Sequence, residues 1–300
     1  MAATLGPNQY GKAEIRVVRV YRDAEPHHIV DYNVSCSLSG DFLDTHVTGD
    51  NSKVVPTDTV KNTVNAFAKQ DGNSARQPEA FGLALARHFV DDNAQVARAR
   101  VHLEMYPWVR LEQDGSPHPH AFVRHGGYLR TATVTYSGQR SSVVSGVDEM
   151  VLLKTTDSEF SGFHHDRFTT LEPTSDRILA TTAKAKWRHT ETDVDWEKSH
   201  QGVLNTLTSV FAGHHSMSLQ QTLYAMGEAV LQADPEIAEI RFALSNKHHF
   251  VVDLSAFGLQ NPNEVFHADD RPYGLIEATV RRDDAADPGL GFDLDLGWWD

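Results

Sequence analysis

Twice along the chain, two strand-like segments are followed by two helical patterns and then by two more strand-like segments. Strands show as alternation of apolar and polar side chains, helices as apolar residues recurring every three or four positions. In the first half, Lys12–Tyr21 and Ile29–Leu38 alternate across a turn at Asp23–His28. Val60, Val64 and Phe67, then Phe81, Leu85 and Phe89, define two helical faces. Alternation resumes over Val96–Leu111 and Ala121–Tyr136, with a polar connection at Glu112–His120. The second half repeats the order, with strands at Val143–Lys154 and Arg177–Thr190 and helices at Trp196–Phe211 and Leu219–Leu231. Its closing strands fall at Ile237–Leu254 and Glu264–Arg281. Hairpins with paired helices between them imply antiparallel sheets whose helices cover one face, an α+β arrangement. The expected organisation is two tandem ββααββ units, 9–138 and 139–282. A tail rich in Asp and Gly, 283–300, follows and is expected to pack loosely through Trp298 and Trp299.

Several polar side chains sit where this patterning expects apolar ones. On the strand Phe242–Leu254 one face carries Phe242, Leu244, Asn246, His248, Phe250, Val252 and Leu254. A polar group buried in such a stripe costs about 1–3 kcal/mol unless it is hydrogen-bonded. Asn246 and His248 are therefore either a satisfied core pair or the polar spots of a ligand cavity. Arg177 shares a face with Leu179, Thr181, Ala183, Ala185 and Trp187. Its rigid fork of donors calls for a planar partner, either a buried carboxylate or a ligand edge. Ser218 and Gln221 have capping-box spacing, which leaves the N–H groups of Leu219 and Gln220 in an unpaired first turn. Thr57 is the expected N-cap of the first helix, with Asp58 serving the helix dipole. Strict alternation puts Lys12 on the face of Glu14, Arg16, Val18 and Val20, towards solvent.

Bulk properties exclude several functions. A net charge of −14 repels nucleic acid and anionic membrane surfaces. No run of about 18 apolar residues is present to span a membrane. The segment Met1–Asn8 lacks the basic and apolar regions of a secretory signal. One cysteine, Cys36, cannot form an intrachain disulfide or a cysteine zinc cluster, which suits a reducing compartment. The histidines number 17, yet none has the His-Glu-x-x-His spacing, and adjacent strand histidines point to opposite faces. No metal site is expected.

With these residues assembled, the sequence resembles urate oxidase (uricase) from about Tyr10 to Arg281. The motifs are Tyr10-Gly11-Lys12, Val54–Thr63, Phe160-Ser161-Gly162-Phe163, Thr169-Thr170-Leu171 with Asp176–Leu179, Ser218-Leu219-Gln220, Asn246–Phe250 and Arg271–Ile276. The resemblance implies two tandem tunnel-fold (T-fold) units that assemble into a barrel-like homotetramer with active sites at subunit interfaces. It implies oxidation of urate by O2 to 5-hydroxyisourate with release of hydrogen peroxide, without metal or organic cofactor. Arg177 and Gln220 then clamp opposite edges of the purine, the Leu219 N–H adds a donor, and Phe160 stacks on the ring. Thr57 comes from a neighbouring subunit and joins Lys12 and His248 in a proton relay. Asn246 holds O2 or water above the ring, and Asp58 steadies the Thr57 loop beside the substrate.

Some positions depart from the family pattern. Pro56 stands where alanine is expected, and Leu219 where valine is commoner. His164-His165 and the Glu112–His120 connection match nothing in it. The ending Gly297-Trp298-Trp299-Asp300 lacks a Ser-Lys-Leu peroxisomal signal, so a bacterial cytoplasmic enzyme is expected. Two other functions compete: a zinc-using tunnel-fold enzyme acting on pterins or purines, and a purine-binding protein without catalysis.

Overall fold

The computed structural model describes residues 3–23 and 25–292, so Trp298 and Trp299 lie outside the described residues. Strands β1 (Tyr10–Tyr21) and β2 (His28–Gly40) are followed by a short helix, α1 (Leu43–Val47), and by α2 (Thr57–Gln70) and α3 (Pro78–Asp91). Four strands come next: β3 (Val96–Met105), β4 (Trp108–Gln113), β5 (Ser116–Arg124) and β6 (Leu129–Tyr136). The second repeat holds β7 (Ser141–Lys154), β8 (Leu179–His189), α4 (Trp196–Gly213), α5 (Leu219–Ala233), β9 (Ile237–Val251) and β10 (Phe266–Arg281).

Two stretches differ from the sequence expectation, which has no counterpart of α1 and runs one strand on from Val96 to Leu111. The strand from Val96 stops at Met105, and the supposed polar connection is itself a hairpin, β4 on β5, with Gln113 opposite Ser116. Its turn is Asp114-Gly115, with φ of 52° and 75°. Both central residues are left-handed, as the two-residue turn favoured by strand twist requires, and Asp-Gly is the sequence signal for it.

The chain forms two compact units. One holds residues up to Gly146, Trp187–His200 and the stretch from Ala286; the other holds Val147–Lys186 and Gln201–Ala285. In the first unit the strand order is β1-β2-β3-β6, with β7 beside β6, and the β1-β2, β2-β3 and β3-β6 pairs are antiparallel. Helix α3 lies over β3 and β6, and α2 over β1. Val34, Cys36 and Leu38 of β2, Val101 and Leu103 of β3, and Val134 of β6 meet Val60, Val64, Phe81 and Leu85 in one core. The helical spacing read from the sequence therefore marks the buried faces. In the second unit the order is β7-β8-β9-β10, with β9 and β10 antiparallel and α5 packed over both. Gly227 permits that packing, because a Cβ there would stand 2.6 Å from Val280 Cγ2.

Beneath the first sheet lies a buried polar network. Glu79 of α3 is fully buried and accepts from Arg130 Nη2 at 2.9 Å and from Ser145 Oγ at 2.7 Å. Ser145 Oγ is also 2.9 Å from His189 Nε2, and Arg130 Nη1 donates to Glu197 at 2.6 Å. His200 packs near Arg130 and against Trp187, with ring centroids 5.5 Å apart. Burial first, then the charge of Arg130 and the neighbouring His189, push its pKa down to about 2 from an ordinary 6.5. The folded state holds His200 neutral, whereas the unfolded chain takes up a proton below 6.5. Its contribution to stability is complete above pH 6.5 and is lost as pH falls, by about 1.4 kcal/mol per pH unit. Denaturant unfolding at about pH 8 and about pH 5 checks this. The stability gap between them should narrow by about 2 kcal/mol in His200→Phe relative to the parent. An unchanged gap would show that His200 does not drive the acid lability.

Candidate active site

In the first unit, β1 holds Lys12 by an irregular pairing. Tyr10 stands opposite Leu38, Gly11 opposite Ser37 and Lys12 opposite Cys36, but Ile15 stands opposite Val34. Two residues, Ala13 and Glu14, therefore face one, Ser35, in a β-bulge. Glu14 has φ of 55°, and its N–H donates to Ser35 Oγ at 3.0 Å. Cross-strand partners share a face. Lys12 thus lies on the core-facing side with Cys36, Val34 and Ile15, not with Glu14 and Arg16 as alternation predicts. The bulge shifts the phase of the strand by one residue. Gly11 lets the strands approach, since a Cβ there would fall 1.8 Å from the Cys36 carbonyl oxygen.

Tyr10 ties this strand to the next functional segment. Its hydroxyl accepts from the Val55 N–H at 2.8 Å, and its ring meets Phe42 edge-on at 4.8 Å. Helix α2 then begins at Thr57, and its N-cap is Pro56, whose carbonyl accepts from the Val60 N–H at 3.1 Å. Thr57 is therefore the first helical residue and not the N-cap expected of it; proline already has the extended conformation an N-cap needs. The Thr57 side chain is exposed and takes no part in capping. Asp58, also exposed, accepts from Lys61 and from Asn62 Nδ2, and these bonds hold its carboxyl below the usual range. The Lys12 ammonium adds a smaller pull in the same direction. Lys12, Thr57 and Asp58 thus gather at one end of the first unit.

In the second unit three segments are knitted by backbone hydrogen bonds. Phe160 and Thr174 exchange both bonds, at 2.9 and 3.0 Å, and the Arg177 N–H donates to Ser158 O at 2.8 Å. The Arg177 guanidinium lies over the Phe160 ring, 5.2 Å from its centroid. No carboxylate pairs with Arg177 among the described residues, and its Nε is buried without a hydrogen-bond partner. Burial also lowers its pKa. The ion-pair alternative is therefore not what the structure holds. The Glu159 N–H donates to Ser216 O at 2.8 Å, which brings in the start of α5. There Ser218 caps the helix as its spacing predicts, while the Gln221 side chain bonds one residue before the N-cap. Ser218 Oγ accepts from the Gln221 N–H at 3.1 Å, and Gln221 Oε1 reaches back to the Met217 N–H at 2.9 Å. Leu219 is buried and Gln220 exposed in the first turn, where N–H groups have no helical acceptor.

On β9 the apolar face is core only as far as Leu244. Phe242 and Leu244 are buried, Asn246 and His248 are half-buried, and Phe250 is exposed. Asn246 pairs with Gly274 and His248 with Asp269, so Asp270–Tyr273 bulge out opposite Lys247 alone. Neither the Asn246 nor the His248 side chain has a hydrogen-bond partner among the described residues. They are not a mutually satisfied core pair. Phe160, Arg177, Leu219, Gln220, Asn246 and His248 all belong to the second unit, and Lys12, Thr57 and Asp58 to the first. Among the described residues no group of three or more His, Cys, Asp or Glu side chains could hold a metal ion. Ser216 and the Asp157–His215 pair carry no pattern signal in the sequence, because their roles arise from distant contacts, and Tyr10 is marked only as part of the Tyr10-Gly11-Lys12 motif.

The sequence model of uricases matches residues 8–135 and 143–277. The chain belongs to the uricase family. It is 48% identical to the uricase of Arthrobacter globiformis over 279 residues, which covers 93% of this chain and 90% of the relative. The uricase of Dictyostelium discoideum is 37% identical over 284 residues, 93% of this chain and 98% of that one. The crystal structure of the Arthrobacter globiformis uricase superposes with a TM-score of 0.91 and 47% identity, covering 96% of this chain and 98% of that one. The fold is the tunnel fold of uricases, α+β with two tandem repeats and antiparallel pairing. No helix among the described residues is long and apolar enough to cross a membrane.

Gly11→Ala should force β1 from β2 and displace Lys12. Unfolding measurements are expected to show a loss of about 1–3 kcal/mol, with turnover falling more steeply than stability explains. Wild-type stability in that variant would contradict the close approach at Cys36.

Proposed function

We propose that the chain oxidises urate with O2 and water to 5-hydroxyisourate, releasing hydrogen peroxide, with no metal or organic cofactor. Urate oxidation follows from membership of the uricase family, which makes the chain an oxidoreductase that uses O2 as acceptor. The observation that best supports the finer reading is the half-buried Arg177, whose Nε has no partner and whose guanidinium lies against Phe160. An aromatic platform beside an unsatisfied fork of donors suits a flat heterocycle rich in acceptors.

In this reading Arg177 clamps one edge of the purine, while Gln220 and the Leu219 N–H take the other from the first turn of α5. Phe160 stacks on the ring. Thr57, with Lys12 and His248, relays the proton removed from urate, and Asn246 holds O2 or water above the ring. Deprotonated urate is electron-rich and supplies two electrons to O2. The protein contributes alignment, proton removal and charge stabilisation. Lys12 stands on the core-facing side of its strand, opposite Cys36, where its amine can reach a proton passed through Thr57. Asp58 steadies the segment that carries Thr57.

The exposure of Thr57 and Asp58 leaves them available to a second copy of the chain. We assign the working form to a homotetramer with active sites at subunit interfaces, built from tandem units 9–138 and 139–282 and a tail, 283–300. The cytoplasm is the proposed compartment. Cys36 is a buried thiol whose pKa burial pushes up to about 12, so it stays protonated and unreactive there.

Urate in aerated, chelator-treated buffer should lose its ultraviolet absorbance with equimolar peroxide appearing. No turnover under those conditions would sink the cofactor-free mechanism. Arg177→Lys is expected to raise KM about tenfold or more, since one ammonium cannot reproduce a bidentate clamp. Thr57→Ala should lower kcat by about a hundredfold with little change in KM, and an unchanged kcat would remove Thr57 from the relay.

A further inference from the structure

An exposed ionic contact that the proposed chemistry does not use sits where the three substrate-side segments meet. Asp157 Oδ1 and His215 Nδ1 are 2.6 Å apart, and His215 Nε2 stands 3.9 Å from Glu159 Oε1. Asp157 has φ of 61°, in the left-handed region that side chains other than Asp and Asn seldom enter. Its carbonyl accepts from the Ser216 N–H at 3.1 Å. Residue by residue, the segment it opens then grips the site. Ser158 bridges Ser216 and accepts from Arg177, Glu159 donates to Ser216, and Phe160 is the platform itself. Ser216 Oγ lies 2.7 Å from Thr222 Oγ1, and both residues are fully buried, which fixes the turn to α5. Lys154 Nζ donates to His214 O and holds the same turn from β7.

We propose that the Asp157–His215 pair is a positioning device for the substrate-binding side of the site, holding the segments that carry Phe160, Arg177 and Leu219–Gln220 in one arrangement; this rests on the urate-oxidising reading above. Neither residue touches a reacting atom. The pair closes a bend that links all three segments, at a residue with left-handed backbone. An exposed pair contributes little to global stability, so its effect falls on local geometry.

The pair also titrates. The hydrogen bond that His215 donates to Asp157 raises the pKa of His215 above the ordinary 6.5, helped by the charges of Asp157 and Glu159 and opposed by desolvation and by Lys154. Asp157 is held below its ordinary value, chiefly by His215. A raised histidine contributes below its unfolded pKa and loses that contribution as pH rises through the folded one. The tether is therefore closed below the ordinary 6.5 and released as pH rises through the raised pKa of His215.

The test is urate kinetics of the full-length enzyme and its His215→Ala variant across a pH series. At about pH 6 the variant should show KM raised about two- to fivefold with kcat unchanged. The KM ratio of variant to wild type should fall towards one as pH rises. His215→Lys, which keeps a cation at all these pH values, should restore low KM and remove the alkaline rise. A KM ratio of one throughout, a ratio independent of pH, or a fall in kcat alone would overturn the proposal. Calorimetric Kd values for xanthine on the same proteins read the geometry without turnover. If the wild type fails to oxidise urate, the urate-oxidising reading falls, while the xanthine Kd ratio still decides the positioning role. A wild type that binds no xanthine would overturn both.

Discussion

A carboxylate sealed from water must be answered in charge and in hydrogen bonds, and the first unit is arranged around that demand. Glu79 meets it with Arg130 on one oxygen and Ser145 on the other. Removing one partner from such a pair leaves an uncompensated buried charge, at about 3–5 kcal/mol. The pair also ties α3 to β6 and β7, so the helix layer and the sheet keep one spacing. The core between them then holds Cys36 and Val34 fully buried. His200 is neutral because burial, and then the adjacent charge of Arg130, disfavour its protonated form.

Both stretches of strand that carry proposed proton-handling residues are irregular. In β1 the bulge at Ala13–Glu14 turns Lys12 to the core-facing side. Opposite β9, the excursion at Asp270–Tyr273 opens the pairing between Asn246 and His248. Regular ladders bury or expose residues in strict alternation, whereas a bulge re-aims one side chain and interrupts the hydrogen bonding around it. The substrate-side residues are held differently. Arg177, Phe160 and the capped turn of α5 stand on loops cross-linked through Ser158 and Ser216, and the unpaired Arg177 Nε marks what that scaffold leaves open.

The order of elements, the two tandem repeats and the buried faces of α2 and α3 were legible along the chain, as was the N-cap at Ser218. So was the interruption of an apolar stripe by Asn246 and His248, whereas Arg177, which alternation put on the strand face of Leu179, stands on the loop before β8. These depend on periodicities and caps that each segment carries within itself. The hairpin of β4 and β5 was also written there, in Asp114-Gly115, but its turn signal lay within a run that read as polar connection. What only the tertiary structure decided were the side of β1 that Lys12 occupies, the capping of α2 by Pro56 in place of Thr57, and the pairing of Glu79 with Arg130. Each is set by a partner remote in sequence or by the local backbone. Ser35 receives the bulged N–H of Glu14 from 21 residues away, and Glu79 and Arg130 are 51 residues apart. A period along one segment cannot report which distant atom completes it.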